Sequence, residues 1–425
     1  MYSKSARRLR KSERGVTLLI TAVGMVSVLA ITVLALDVVA LYVAKDQAQA
    51  TADAAALAGA QALAISGTTS APSSVPLSTV CNGGSGQADL WAQAVVAHSP
   101  IAGGFATATT SCSAPTDTNP RIQVTVTRTG LPRFFARTGG GLSASATAVA
   151  EAYNPSFDLN PGPPIRIRGL KPWLIFNCNT CASGPAYFTS TYAVANGGTF
   201  IGQPVTLTLM VSSTPLGPPP APSPPANTAQ FFALDLPAPL SCPSNGAISC
   251  GQIGTGPTGI FYHDNIACSG SFRFGNNQSV PMPGAQVDTR SLGNLQARTS
   301  AGVQCLIHAA GGGLGQGQDT FTTGLPVTIT GGSNNPDPGL RGVIIHRSDS
   351  VVTAPVFNCP TAGACDGTGA MQLQIVGFLQ LAIQDVTGGG NIDAVILNAA
   401  GTDPASTGTP VSGAGPSPVP VRLIQ

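Results

Sequence analysis

From Val16 to Leu36 the chain runs through 21 residues without a single charged side chain. As a helix at about 1.5 Å per residue this stretch is about 31 Å long, close to the hydrocarbon thickness of a bilayer. The apolar periodicity continues past Asp37 through Leu41 and Tyr42 into an alanine-rich stretch, Ala48 to Ala64, with few helix breakers before Gly67. The pattern predicts one long helix, membrane-embedded first and water-facing afterwards. The competing reading is a cleaved signal peptide, which has a basic head, about 7–15 apolar residues and a small-residue cleavage site. The alanines offer such sites, but the apolar run is too long, and a retained anchor fits better.

Charge sets the expected orientation. Lys4, Arg7, Arg8, Arg10, Lys11 and Arg14 precede the span against Glu13 alone, so the head carries +5; the whole chain is +2, which leaves −3 for the remainder. Basic flanks stay cytoplasmic, and Arg7, Arg8, Arg10, Lys11 and Arg14 are the topology signal. Nearly everything after Asp37 is then exported. A basic arm for nucleic acid is the other use of such a run; beside an apolar span the topology reading is stronger, and no nucleic-acid partner is expected.

Arg14-Gly15, the apolar span ending in A-L-D-V-V-A-L-Y-V-A (Ala35 to Ala44), and Q-A-Q-A-T-A-D-A-A-A-L-A-G-A (Gln47 to Ala60) together resemble the N-terminal module of TadG-like proteins. Those belong to the Tad machinery that assembles Flp pili, thin type IV-related fibres. The resemblance covers the first ~50 residues closely and extends weakly to about residue 152. It implies a bacterial inner-membrane protein with other Tad/Flp pilus or secretion components as partners. It also implies a pseudopilin-like unit in which a sheet packs against the exposed half of the anchor helix. Arg14-Gly15-Val16 is similar to the glycine cut by prepilin peptidases, but those substrates usually carry Glu at the fifth position after the glycine, where this chain has Ile20. The head is expected to be kept. Many larger TadG-like proteins carry a von Willebrand A domain with a D-x-S-x-S metal site; no such motif occurs here.

Behind the anchor, composition favours strands and turns. Of 425 residues 51 are Gly and 36 Pro, only 9% are charged, Glu occurs only at Glu13 and Glu151, and there are four lysines. Helix formers other than Ala and Leu are scarce, which argues against long surface helices beyond the N-terminus. All ten cysteines follow the span. An even number on the exported side reads as disulfides in an oxidising compartment. Cys242–Cys250 and Cys359–Cys365 are the simplest local pairs. Cys178 and Cys181 form a C-x-x-C without a helical pattern after it, so a structural disulfide or turn is preferred to a metal or redox site.

The expected architecture is α+β and membrane-anchored. Residues 1–14 form the head, 15–64 the transmembrane helix and its exported continuation, and 65–153 a small α+β unit. In that unit Asp89–His98 suits a short helix, while Arg121–Arg128 and Ser143–Ala152 alternate as strands. Residues 154–164 are a Pro-rich linker, 165–400 a β-rich exported body and 401–425 a flexible tail. Leu216–Pro225 is either a stiff polyproline spacer or an exposed loop, the loop being preferred.

Catalytic motifs are wanting. There is no H-E-x-x-H or G-x-S-x-G, the Gly311–Gly317 run lacks the Lys-Ser/Thr of a phosphate-binding loop, and His263-Asp264 is as common as any such neighbour pair. No enzyme activity, cofactor, metal or small-molecule substrate is expected. The leading function is a non-catalytic accessory subunit of a Tad/Flp-type apparatus; the alternative is an anchored surface adhesion protein with a β-rich ligand-binding domain. Helices in membranes associate through small residues and polar contacts. Asp37, Ala52, Asp53, Ala55, Ala56, Gly59 and Ala60 are therefore the expected interaction surface of the helix. Asp37 can sit at the outer interface or pair with a neighbouring subunit. On this reading Gly59→Leu or Ala56→Leu blocks assembly while leaving protein level and insertion intact.

Overall fold

The computed structural model describes residues 4–114, 119–131, 141–157, 165–177, 187–210, 227–239, 261–268, 272–275, 279–280, 286–288, 291–358, 373–401, 411–412 and 417–424, with the side chains of 4–14 outside that description. The first element, α1 (Lys4–Ile65), is unbroken, as its apolar and alanine periodicity predicts. It ends where Ser66 N–H and Oγ–H bond back to the Ala62 and Leu63 carbonyls and Gly67 takes a left-handed φ of 87°. A side chain is disfavoured in that conformation, so glycine stops the helix there.

After α1 come α2 (Leu77–Val80), α3 (Gln87–Ala97), β1 (Thr107–Ser113), β2 (Arg121–Leu131) and β3 (Leu142–Ala152). The body follows with β4 (Ile165–Arg168), β5 (Trp173–Phe176), β6 (Pro204–Met210), β7 (Thr228–Asp235), α4 (Phe261–Ala267), β8 (Arg273–Gly275), β9 (Ser279–Val280) and β10 (Gln286–Val287). Next are α5 (Leu292–Leu306), β11 (Thr320–Phe321), β12 (Ile329–Thr330), β13 (Ile344–Ile345), β14 (Val351–Asn358), β15 (Leu373–Val386) and β16 (Ile392–Gly401). The chain closes with β17 (Val411–Ser412) and β18 (Val421–Ile424).

The first sheet is antiparallel in the order β1-β2-β3-β18. Its inner face carries Ile122, Val124 and Val126 on β2 and Ala144, Ala146, Ala148 and Ala150 on β3, all buried in one core with the alanines of α1. Small residues on both partners let the helix lie close to the sheet. For residues 417–424 the last strand corrects the reading of a flexible tail over 401–425; residues 402–410, 413–416 and 425 lie outside the described residues. Val421 to Ile424 pair with Ala152 back to Val149, and Arg422 reaches the buried Glu151, so β18 is stitched into the sheet.

The β-rich body is organised by a closed ring of six strands. Neighbours run β7-β5-β14-β15-β16-β6, and β6 pairs back onto β7. Closure removes open edges from this part of the sheet. Side chains alternate accordingly. Trp173, Ile175, Phe231, Ala233, Val352, Ala354, Val356, Leu381 and Ile396 fill one core, joined by Tyr262 and Ile266 of α4 and Leu295 and Val303 of α5. The outward residues are covered too: Leu174, Phe176, Phe232, Phe357 and Phe378 share the core of the first sheet and α1, and Ala382, Val395 and Leu397 pack under the β11-β12-β13 sheet. Strands covered on both faces read as near-continuous apolar runs. The run L-Q-I-V-G-F-L-Q-L-A-I of β15 has that form.

Three further expectations change. The 15-residue α5 is a substantial helix outside the N-terminus, against the reading from composition. It forms because its apolar side, Leu295, Val303 and Leu306, has the body core to pack on, and burial overrides weak propensity. Of the expected linker, Asn154 is fully buried and Pro155–Phe157 form a short 3-10 turn; residues 158–164 lie outside the description, as do Leu216–Pro225. In sequence L-P-V-T-I-T (Leu325 to Thr330) and R-G-V-I-I-H (Arg341 to His346) also read as strands, but only the two-residue β12 and β13 form there.

Candidate functional site: the long apolar helix and its seat

Two halves of α1 live in different surroundings. Between Gly15 and Ile65 the helix contains a stretch long and apolar enough to cross a membrane, and the most apolar window is wholly uncovered. Between Val16 and Leu34 every large apolar side chain is exposed except the half-buried Val33. From Asp37 on, one stripe closes over: Asp37, Ala44, Ala48, Ala52, Ala55, Ala56, Ala60 and Leu63 are buried. The opposite stripe stays open as far as Tyr42 and Val43.

The sheet is the partner of that stripe. Ala52, Ala55, Ala56 and Ala60 are fully buried in the core shared with β2 and β3, and Gly59 faces Ile122 and the Ala88 carbonyl of α3. The surface expected to receive a neighbouring subunit is thus occupied by the chain's own fold. Its small residues allow close approach, and the nearest apolar face is intramolecular. Asp53 is only half-buried and accepts a 2.7 Å hydrogen bond from Gln49 Nε2 one turn earlier. Asp37 is 9% exposed and engaged with a partner. The helix runs through Arg7, Arg8, Arg10, Lys11 and Arg14.

Around this seat, buried polar groups fix the neighbours. Asp89, in the first turn of α3, accepts from Asn82 N (2.8 Å), Gly86 N (3.1 Å) and Thr110 Oγ1, tying the helix start to β1. The disulfide Cys81–Cys112 crosses the same place. Cys268 and Cys305 are also disulfide-bonded. The pairs expected at Cys242–Cys250 and Cys359–Cys365, and the Cys178/Cys181 turn, lie outside the described residues. Glu151 is buried and bridges Arg121 Nε (2.9 Å) to Arg422 Nη2 (2.6 Å), while Arg422 lies over the Tyr153 ring. Its rarity was a signal: only two glutamates exist in the chain.

A second polar knot joins α1 to the ring of strands. Asn398 of β16 donates to the Ala64 carbonyl at the end of α1 and to Thr69 Oγ1 (2.9 Å), while Ser70 Oγ–H bonds Asn398 Oδ1 and the Ala399 carbonyl (2.7 Å). Asn154 Nδ2 donates to the Thr69 and Ala399 carbonyls at 2.9 and 3.0 Å. Ser156 Oγ accepts from Gly401 N at 2.6 Å. All these residues are buried. The sequence signal was a lone Asn inside V-I-L-N-A-A, a polar residue with no business in a covered strand unless its hydrogen bonds are met.

At the far side of the ring Lys171 is buried and its Nζ donates to the Ile266 and Cys268 carbonyls at the end of α4, at 2.7 and 2.9 Å. Desolvation lowers its pKa to about 7, with Asp349 pulling the other way without offsetting it. The hydrogen bond from His308 Nε2 (3.3 Å) holds the Asp349 carboxyl below the usual carboxylate range. His263 and Asp264 bond each other at 2.9 Å within α4. Among the described residues no group of three His, Cys, Asp or Glu is placed to hold a metal ion.

The arrangement defines a class: a long apolar helix seated by its second half on a small sheet, with a ring-closed β body joined to it through the hydrogen bonds of Asn398 and a shared core. Residues 15–62 match the Tad family model, described as putative Flp pilus-assembly TadE/G-like, and the match ends within α1. No curated protein and no solved structure matches the chain.

Proposed function

We propose that this chain is a non-catalytic accessory subunit of a Tad/Flp-type pilus assembly or secretion apparatus, held in the bacterial inner membrane by α1. Its basic head is cytoplasmic and its body periplasmic or at the cell surface. One coincidence carries the reading: the family match spans the same helix that is bare and apolar in its first half and sheet-covered in its second. The disulfides suit an oxidising compartment. The knot around Asn398 makes the body a rigid extension of the anchor, which suits a structural part. Its partners are the membrane and other components of that apparatus.

The test is deletion of the gene and complementation with the full chain, scoring surface fibres and co-purification with the secretion machinery. Loss of fibres that the full chain restores is the expected result. Normal fibres in the deletion strain, with no co-purification, would overturn it. Reporter fusions after Ala64, Ala152 and Gln425 should be active only outside the cytoplasm; cytoplasmic activity would reverse the proposed orientation.

A further inference from the structure

We propose that the body touches the membrane a second time, through the end of the first sheet nearest the span. The contact is the loop carrying the exposed Phe105, at the level where β2 ends with the buried Leu131, seated in the lipid headgroup layer. This rests on the membrane reading of α1.

The register along α1 carries the argument. Ile122, near the start of β2, lies on Gly59. Nine residues later β2 ends at Leu131, one of them absorbed by a bulge after Arg128, so the end lies about 26 Å further at ~3.3 Å per residue. The same distance along a helix is ~18 residues, which brings Leu131 level with Leu41. A second contact checks this alignment. Thr107 of β1 pairs Thr127 of β2, and just before it the loop donates Ala102 N–H to Gln47 Oε1 at 2.8 Å. Thr127, five residues past Ile122, falls about 17 Å along the strand, or ~11 residues back along α1, beside Gln47. Sheet and helix therefore run together toward the apolar span.

The uncovered apolar stripe of α1 does not end before that level. Val38, Val39, Tyr42 and Val43 are exposed, and the first exposed charges are Lys45 and Asp46. From Val16 to Val43 there are 28 residues, about 42 Å of helix, which matches a bilayer with its headgroup layers rather than its hydrocarbon core alone. Tyr42 stands where interfacial aromatics gather. Over Asp37 to Val43 one side of α1 is thus bare while the other is covered by protein. The covering end of the sheet has the chemistry of an interface. Phe105, just after the Ala102–Gly103 turn, is 75% exposed, and the Arg128 guanidinium lies against Gly104 beside it. Aromatic and cationic groups together suit the boundary between acyl chains and anionic phosphates.

The experiment places the full chain in phospholipid vesicles brominated either near the headgroup end of the acyl chain or near the bilayer centre. Two single variants are compared with the parent, whose Trp91 and Trp173 are buried and give the background. Val28→Trp reports the anchor and Phe105→Trp the second contact; both positions are exposed, so neither disturbs a packed core. Support is a deep quench for the first and, for the second, a blue-shifted emission lost to shallow but not to deep bromines. If Val28→Trp is quenched and Phe105→Trp is not, the second contact is wrong while the anchor stands. If Val28→Trp is unquenched, the anchor fails and the second contact with it.

Discussion

Gly59 sits where β2 crosses α1, and a Cβ there would lie 2.5 Å from Ile122 Cδ1 and 3.2 Å from the Ala88 carbonyl. The isoleucine tip could shift for one methyl group, but the backbone oxygen leaves no room for a leucine. Overfilling a packed site costs about 1–3 kcal/mol, so Gly59→Leu should lower the unfolding temperature and steady-state level of the chain. The same holds for Ala56→Leu, and both changes act on the fold before they could act on assembly. Thermal unfolding of the detergent-solubilised full chain decides it; an unchanged midpoint with lost assembly would return this face to a partner subunit. Lys171 supplies a pH test. The unfolded chain keeps this proton up to about 10.5 while the fold releases it near 7. Between those values the unfolded state binds more protons, so this site's contribution to stability rises with pH. Below about 7 the cost of the buried ammonium is fully present. Lys171→Met removes the titration, so the stability difference should move toward the parent by on the order of 2 kcal/mol between pH 7 and 9. A flat difference across that range would mean that Lys171 titrates as a normal lysine.

At the scale of elements, legibility tracked how local the physics was. The helix α1 announced itself because a long uncharged run has few other uses. β2 was visible through alternation of Ile122, Val124 and Val126 with polar neighbours and β3 through its alternating alanines; the apolar runs Val351 to Phe357, Met371 to Ile383 and Ile392 to Leu397 also read as strands, and the covered ring explains them as β14 to β16. β1, T-A-T-T-S-C-S, was missed because it is half-exposed and polar, and becomes a strand only by pairing with β2. β18 was missed because four residues after a Gly/Pro-rich stretch carry no period, and its place depends on Ala152 and Glu151 far upstream. Cys81–Cys112 was beyond reach for the same reason: sequence does not state which cysteines meet. That bond closes a loop with a sequence separation of 31, worth about 3–4 kcal/mol in the chain-entropy picture. Replacing both cysteines with alanine should lower the stability of the helix-and-sheet unit by that order, read as earlier proteolysis of the stretch from α2 to β1 on warming. Unchanged resistance under oxidising conditions would show that Asp89 and its three donors hold the unit without the disulfide.

For the molecule as a whole, α1 is two devices in one rod, and that division can be cut. Residues 16–33 are exposed apart from the half-buried Val33, whereas 44–64 supply one wall of the core beneath the first sheet and deliver the Ala64 carbonyl to Asn398. An unrelated apolar helix replacing 44–64 removes the small-residue stripe. Larger side chains would then meet Ile122, and the sheet would lose its seat; the expected outcome is a misfolded, protease-sensitive chain. An unrelated span replacing only 16–33, under the same basic head, leaves every described packing contact in place, so the body should fold and insert as before. Fibre production in that second chimera then answers a question the fold cannot confuse. If the bare half of α1 meets other helices of the apparatus in the membrane, its own small residues, Gly24 among them with open space around it, are part of the fit. Fibres should then fail although the protein is present, inserted and protease-resistant. Full fibre production with the foreign span would reduce residues 16–33 to a tether. Whatever contact an apparatus makes would then lie on the first sheet and the body.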